Sequence, residues 1–175
     1  HLQTLLRRLA ALGIALAALF SLFPCQTHAV STSASSAILM DVDSGRVLYE
    51  QNADAKMLIA STTKILTALV AIREGDLNDV VTVSREAAYT EGSSMYLKVG
   101  EKLTLETLLY GLLLCSGNDA AVAIAEHVGG SEAGFAELMN ETAAELGMEH
   151  TSFANPNGLY APDHYSSAAD LAALG

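Results

Sequence analysis

The sequence predicts an α/β protein of the α+β type: a small antiparallel sheet beside a larger helical lobe. Three observations predict it. Residues 37–50 alternate on either side of a turn and read as a hairpin. Residues 65–73 carry apolar side chains at helical spacing directly after Ser61. Residues 104–146 hold three further helical runs, each opened or closed by cap chemistry.

Taken in order, Ala37-Ile38-Leu39-Met40-Asp41-Val42 is the first strand. Asp43-Ser44-Gly45 is turn chemistry, and Arg46-Val47-Leu48-Tyr49-Glu50 is the return strand. Asn52 to Met57 is a polar connection. Ile65, Leu66, Leu69, Val70 and Ile72 define one face of a helix that starts near Ser61 and stops around Glu74-Gly75. Val80 to Val83 is a short extended piece, and Ser84 caps a brief helix to Tyr89. Thr104 to Leu114 is apolar on most sides and predicts a buried helix capped by Thr104. An alanine-rich helix follows from Asn118 to Val128, ending at Gly129-Gly130. Ser131 caps a third helix, which Gly147 stops. Asn155-Pro156-Asn157-Gly158 is a turn, and Ser167 with Asp170 resembles a capping box opening a last helix.

The 175 residues suffice for one domain with a core. The net charge is -11, and residues 30–175 carry 7 basic and 20 acidic side chains. Such a surface argues against nucleic acid and anionic lipid as partners. Arg7-Arg8 followed by the apolar run Leu9 to Phe23 reads as an export signal, with cleavage expected after Ala29; an uncleaved anchor is the other reading. Either way the remainder is exported. Cys25 falls in the signal, so Cys115 stands alone and no intrachain disulfide is expected. In its apolar run Cys115 is expected to be a buried small hydrophobe.

Two short constellations carry chemistry. In Ser61-Thr62-Thr63-Lys64, the lysine lies one helical turn above the serine on the same face. A serine hydroxyl attacks carbonyl carbon only when a base takes its proton. Lysine is that base only when neutral, which from a pKa of about 10.4 costs roughly 4–5 kcal/mol at pH 7 and requires burial or a neighbouring cation. A surface lysine on an amphipathic helix fits the same four letters. The second constellation is Ser116-Gly117-Asn118 between two helices. Its hydroxyl can relay a proton and its amide can hold a substrate; either side chain would equally serve as a helix N-cap.

Together, in this order, the two motifs change the reading. With Ile38-Leu39-Met40-Asp41, Asp43-Ser44-Gly45-Arg46-Val47-Leu48, Ser116-Gly117-Asn118-Asp119-Ala120-Ala121, Phe153-Ala154-Asn155-Pro156-Asn157-Gly158-Leu159 and His164-Tyr165-Ser166-Ser167-Ala168-Ala169-Asp170-Leu171, the chain resembles the D-alanyl-D-alanine carboxypeptidases of the low-molecular-mass penicillin-binding protein family. The resemblance covers nearly everything from Ala37 onward. It implies a β-lactamase/transpeptidase-like fold, here incomplete, with a signal peptide over 1–29 and the N-terminal part of the enzyme domain over 30–175. It implies that Ser61 is the nucleophile and acyl carrier, Lys64 the proton acceptor, Ser116 the proton relay and Asn118 a positioner of substrate. The implied partner is a peptidoglycan stem peptide ending in D-Ala-D-Ala, with β-lactams as inhibitors. No metal and no organic cofactor is implied, and His127, His150 and His164 lack ligand-like spacing.

One departure stands out. The family's third motif, Lys-Thr-Gly on a later strand, is absent, since the last lysine is Lys102. The expectation is an N-terminal fragment, lacking the remaining sheet strands and the C-terminal membrane anchor of many members. Residues 30–175 alone are then expected neither to fold stably nor to hydrolyse substrate. A serine β-lactamase is the alternative enzyme, but Glu149 sits in no recognisable deacylation loop. A non-catalytic peptidoglycan-binding relative is the alternative outside enzymes.

Overall fold

The computed structural model describes residues 32–175. The signal segment expected at residues 1–29, with Arg7, Arg8 and Cys25, lies outside the described residues. Residues Ser33–Gly175 group as one unit.

The hairpin forms as predicted. Strand β1 (Ala37–Met40) pairs antiparallel with β2 (Val47–Gln51), with Ala37 opposite Gln51 and Leu39 opposite Tyr49. The register slips between Leu39 and Met40, where the chain bends into the turn. Asp41 fastens that turn by accepting from the Ser44 backbone N–H at 2.9 Å and from the Ser44 hydroxyl. Leu39, Val47 and Leu48 remain exposed on this two-stranded sheet.

A second small sheet pairs β3 (Val80–Thr82) with β4 (Lys102–Thr104), Val81 opposite Leu103. The sequence does not announce β4. It is three residues long, and its last residue doubles as the cap of the next helix, so the helix signal covers it.

The helical lobe is built on α1 (Thr63–Glu74), α2 (Arg85–Ala88), α3 (Leu105–Leu114), α4 (Asn118–Gly129), α5 (Glu132–Glu145) and α6 (Ala168–Leu174). The serine and threonine caps fall where predicted: Ser84 accepts from Ala87 N–H, Thr104 from Thr107, Ser131 from Gly134 and Ser167 from Asp170. Helix α4 is the hub and packs against α1, α2, α3 and α5. Its first eight residues, Asn118 to Ala125, are all buried. Four of them are alanines, whose small side chains let neighbouring helices approach closely. Leu66, Val70, Leu105, Leu108, Leu112, Ile124, Phe135 and Met139 fill the surrounding core.

Two expectations are corrected. Helix α3 is half-buried, not buried. Leu105, Leu108, Leu109 and Leu112 form its inner face at i, i+3, i+4 and i+7, while Tyr110, Leu113 and Leu114 face solvent. Cys115 is also exposed, because it follows the outer side of that helix as the chain turns away. The near-uniform apolar composition of this run hid its two-sidedness.

Candidate active site

Ser61 lies in a single 3₁₀ turn, Ala60–Thr62, that leads directly into α1. Ala60, before it, has φ +44°, a left-handed conformation that a Cβ-bearing residue adopts at a cost of about 1–2 kcal/mol. This kink turns the exposed Ser61 outward while its neighbour Thr63 goes into the core. Such strain is kept only where the surroundings over-determine it.

Lys64 sits in the first turn of α1 and is only 3% exposed. Its Nζ lies 3.3 Å from Ser61 Oγ and donates to the carbonyl of Asn157 at 2.7 Å. Burial lowers its pKa from the ordinary lysine value. Among the described residues no carboxylate pairs with it to reverse that effect. The surface-lysine reading of the motif is therefore overturned.

What covers the lysine is the 155–158 turn. Thr67, three residues beyond Lys64, donates its hydroxyl to the Pro156 carbonyl at 2.7 Å. Successive carbonyls of the turn thus accept from side chains one turn apart on α1. Asn155 closes the turn by accepting from the N–H groups of Gly158 (2.8 Å) and Asn157 (3.3 Å). Gly158 has φ +88° and presses against the Ala60 carbonyl so closely that no side chain fits between them.

His164 holds the same turn from below. Its Nδ1 accepts from the Ala154 N–H at 3.1 Å, and its Nε2 lies 2.8 Å from Thr63 Oγ1. The edge of its ring meets Phe153, with centroids 5.7 Å apart. Burial lowers the imidazole pKa, and the charge of Asp163 only partly offsets this.

Ser116 and Asn118 form a separate cluster. The N-cap of α4 is Gly117, with no side-chain cap bond, so neither residue plays the capping role open to it from sequence. Ser116 is half-buried in a left-handed conformation, φ +53°, a second strained residue at the motifs. Asn118 is 5% exposed. Its Nδ2 donates to the Glu91 carbonyl at 2.7 Å, and its backbone N–H donates to the Ser93 carbonyl at 2.7 Å. That contact fixes the amide orientation and leaves Oδ1 as an acceptor that is not sealed from solvent. Among the described residues, no hydrogen bond joins Ser116 or Asn118 to Ser61 or Lys64.

Asp119 anchors the loop beside them. Its carboxylate accepts from Ser94 Oγ (2.6 Å), Leu97 N–H (3.0 Å), Met95 N–H (3.1 Å) and Ala120 N–H (2.9 Å). Burial pushes its pKa up, but these four donors outweigh burial and hold it below the usual carboxylate value. Nothing local in the sequence marks a role for Asp119, Asn157 or His164. The Asn157 contact uses its backbone carbonyl, to which residue identity is blind. An acid in the first turn of a helix is common enough to pass unnoticed. Among the described residues, no cluster of three His, Cys, Asp or Glu side chains could hold a metal ion.

The fold is that of penicillin-binding proteins and transpeptidases. It superposes with a TM-score of 0.80 on penicillin-binding protein 5 from Haemophilus influenzae, at 34% identity over 85% of this chain and 46% of that one. A variant of a Streptomyces DD-transpeptidase superposes with a TM-score of 0.78, at 32% identity over 83% of this chain and 60% of that one. Residues 24–175 match the model of the S11 peptidases, described as D-alanyl-D-alanine carboxypeptidase, and the chain belongs to that family. It is 42% identical over 154 residues to the D-alanyl-D-alanine carboxypeptidase DacF of Bacillus subtilis, spanning 85% of this chain but 40% of the relative.

Proposed function

We propose that this chain is the nucleophile-bearing part of a serine D-Ala-D-Ala carboxypeptidase that trims peptidoglycan stem peptides. One observation carries the reading: a desolvated lysine amine 3.3 Å from an exposed serine hydroxyl. A neutral amine has two N–H bonds and one lone pair. With one N–H given to the Asn157 carbonyl, the lone pair is free to face Ser61 Oγ.

Lys64 takes the Ser61 proton as Oγ bonds to the carbonyl carbon between the two terminal D-alanines. The carbonyl oxygen becomes an oxyanion, for which the Ser61 backbone N–H is one donor. The proton then passes from the Lys64 ammonium, through the Ser116 hydroxyl, to the departing amine. The C–N bond breaks and the terminal D-alanine leaves. Water next attacks the ester carbonyl and gives a proton to the neutral Lys64; the C–Oγ bond breaks, Ser61 Oγ takes that proton back and the shortened peptide leaves. Asn118 Oδ1, an acceptor, suits an N–H of the substrate backbone better than a carbonyl. A β-lactam presents the same acyl carbon and would acylate Ser61. The stem peptide lies outside the cytoplasmic membrane, in keeping with the leader expected at residues 1–29.

The test is mass spectrometry of the whole protein after treatment with a penicillin, together with D-alanine release from a stem pentapeptide. The expected adduct is on Ser61, absent in Ser61→Ala. An adduct elsewhere, or none, overturns the reading.

A further inference from the structure

We propose that His164 is a positioning residue for Lys64: as a neutral imidazole with its proton on Nε2, it clamps the Ala154–Gly158 turn to α1 so that the Asn157 carbonyl stays aimed at the lysine amine. The inference rests on the proposed role of Lys64 as base, but its geometry stands apart from that role.

The tautomer follows from the contacts. The Ala154 N–H can only donate, so Nδ1 must offer its lone pair at 3.1 Å. The proton of a neutral ring is then on Nε2, which donates to Thr63 Oγ1 at 2.8 Å. Thr63 immediately precedes Lys64 on α1, and Ala154 lies three residues before Asn157. The ring thus bridges the two segments whose separation sets the distance from Lys64 Nζ to Asn157 O, 2.7 Å. Thr67 Oγ1 to the Pro156 carbonyl, 2.7 Å, is a further tie between them. A ring protonated at both nitrogens cannot accept from Ala154, so gaining a proton breaks one end of the clamp. The titratable groups around the ring are Lys64 beside Thr63 on α1, Asp163 preceding it in the chain, and Tyr160 across a cavity of about 170 Å³ that Leu58, Ile59 and Gly158 also line. Burial favours the neutral ring, and the charge of Asp163 only partly opposes it.

Glutamine at this position can donate and accept across the same span without titrating. Phenylalanine keeps the ring volume and the edge contact with Phe153 but loses both hydrogen bonds. Thr63→Val removes the partner hydroxyl and tests the same bridge from α1 if His164→Phe fails to fold. In the whole protein, ¹⁵N NMR of the His164 ring is expected to show the Nε2–H tautomer at pH 7. The Lys64 Nζ titration, followed by NMR of labelled lysine, is expected to be the same in His164→Gln as in wild type. It should move up toward the ordinary lysine value in His164→Phe and Thr63→Val, as water reaches the amine. Acylation by a fluorescent penicillin should fall roughly ten- to hundredfold in those two variants and be retained in His164→Gln. A proton on Nδ1, or a Lys64 midpoint unmoved by both disruptive variants, overturns the inference. Wild-type protein that takes up no penicillin overturns the carboxypeptidase reading instead, and the two NMR readouts still decide the role of His164.

Discussion

Adding a single methyl group at Gly158 separates two ways in which the site is held. The Cβ of Gly158→Ala would overlap the carbonyl group of Ala60 and come 3.0 Å from Thr63 Oγ1. Ordinary contacts between such atoms are about 3.5 Å or more, so the 155–158 turn and the Ala60–Ser61 kink must separate by on the order of 1 Å. Either segment moving disturbs the chemistry. If the turn lifts, Asn157 O leaves Lys64; if the kink moves, Ser61 leaves it. A displacement of that size costs about 10²-fold in rate. The left-handed φ of +88° adds roughly 1–2 kcal/mol of strain. Gly147→Ala is the control: its φ is +73° and nothing lies within 4 Å of the added atom. In a thermal melt of the whole protein Gly147→Ala should show the strain alone and Gly158→Ala a larger loss, and only Gly158→Ala should lose penicillin acylation in stopped-flow labelling. Wild-type labelling by Gly158→Ala, or an equal loss in Gly147→Ala, refutes the argument from close approach.

Other expectations follow from the same geometry. Lys64→Ala should lower acylation by about 10⁴-fold or more in the whole protein, with single losses in another serine-nucleophile system as the guide, and an effect under tenfold would remove Lys64 from the role of base. Acylation should rise with pH through a midpoint below the ordinary lysine pKa, because burial favours the neutral amine; a midpoint at the solvated value would contradict the desolvated site. The same shift has a stability consequence. Between the lowered folded pKa and the unfolded value the unfolded chain binds one more proton, so this lysine makes stability increase with pH across that window, readable in urea melts. Asp119→Asn should cost about 2–4 kcal/mol, because an amide replaces a carboxylate that accepts four hydrogen bonds. The Asp119 contribution is present above the unfolded carboxylate pKa and is lost as pH falls through its depressed folded value, so wild type and Asp119→Asn should converge in stability in acid.

Much of this was legible from local chemistry. The Asp41–Gly45 turn, the caps at Ser84, Thr104, Ser131 and Ser167, and the turn of separation between Ser61 and Lys64 each depend on residues within a few positions of one another. What stayed hidden depends on chain brought from far away. The carbonyl that orients Lys64 comes from 93 residues on, and the imidazole on Thr63 from 101 residues on. Nothing in a period or a cap encodes such contacts. Strand β4 was missed because it exists only by pairing with β3. The outer face of α3 is hidden in the sequence because leucines occupy both of its sides, so composition masks periodicity.

The strapping of the Glu91–Leu97 segment by Asn118 and Asp119 bears on how members of this family can be recombined. A chimera whose crossover falls between positions 97 and 116 takes the amides from one parent and the carboxylate that receives them from another. Unless the parents share this loop length, the graft leaves N–H groups without their acceptor and the 91–97 loop without its anchor. Crossovers placed after Asp119 keep the strap whole, so 91–97 and 116–119 should be exchanged together, as one cassette from a single parent.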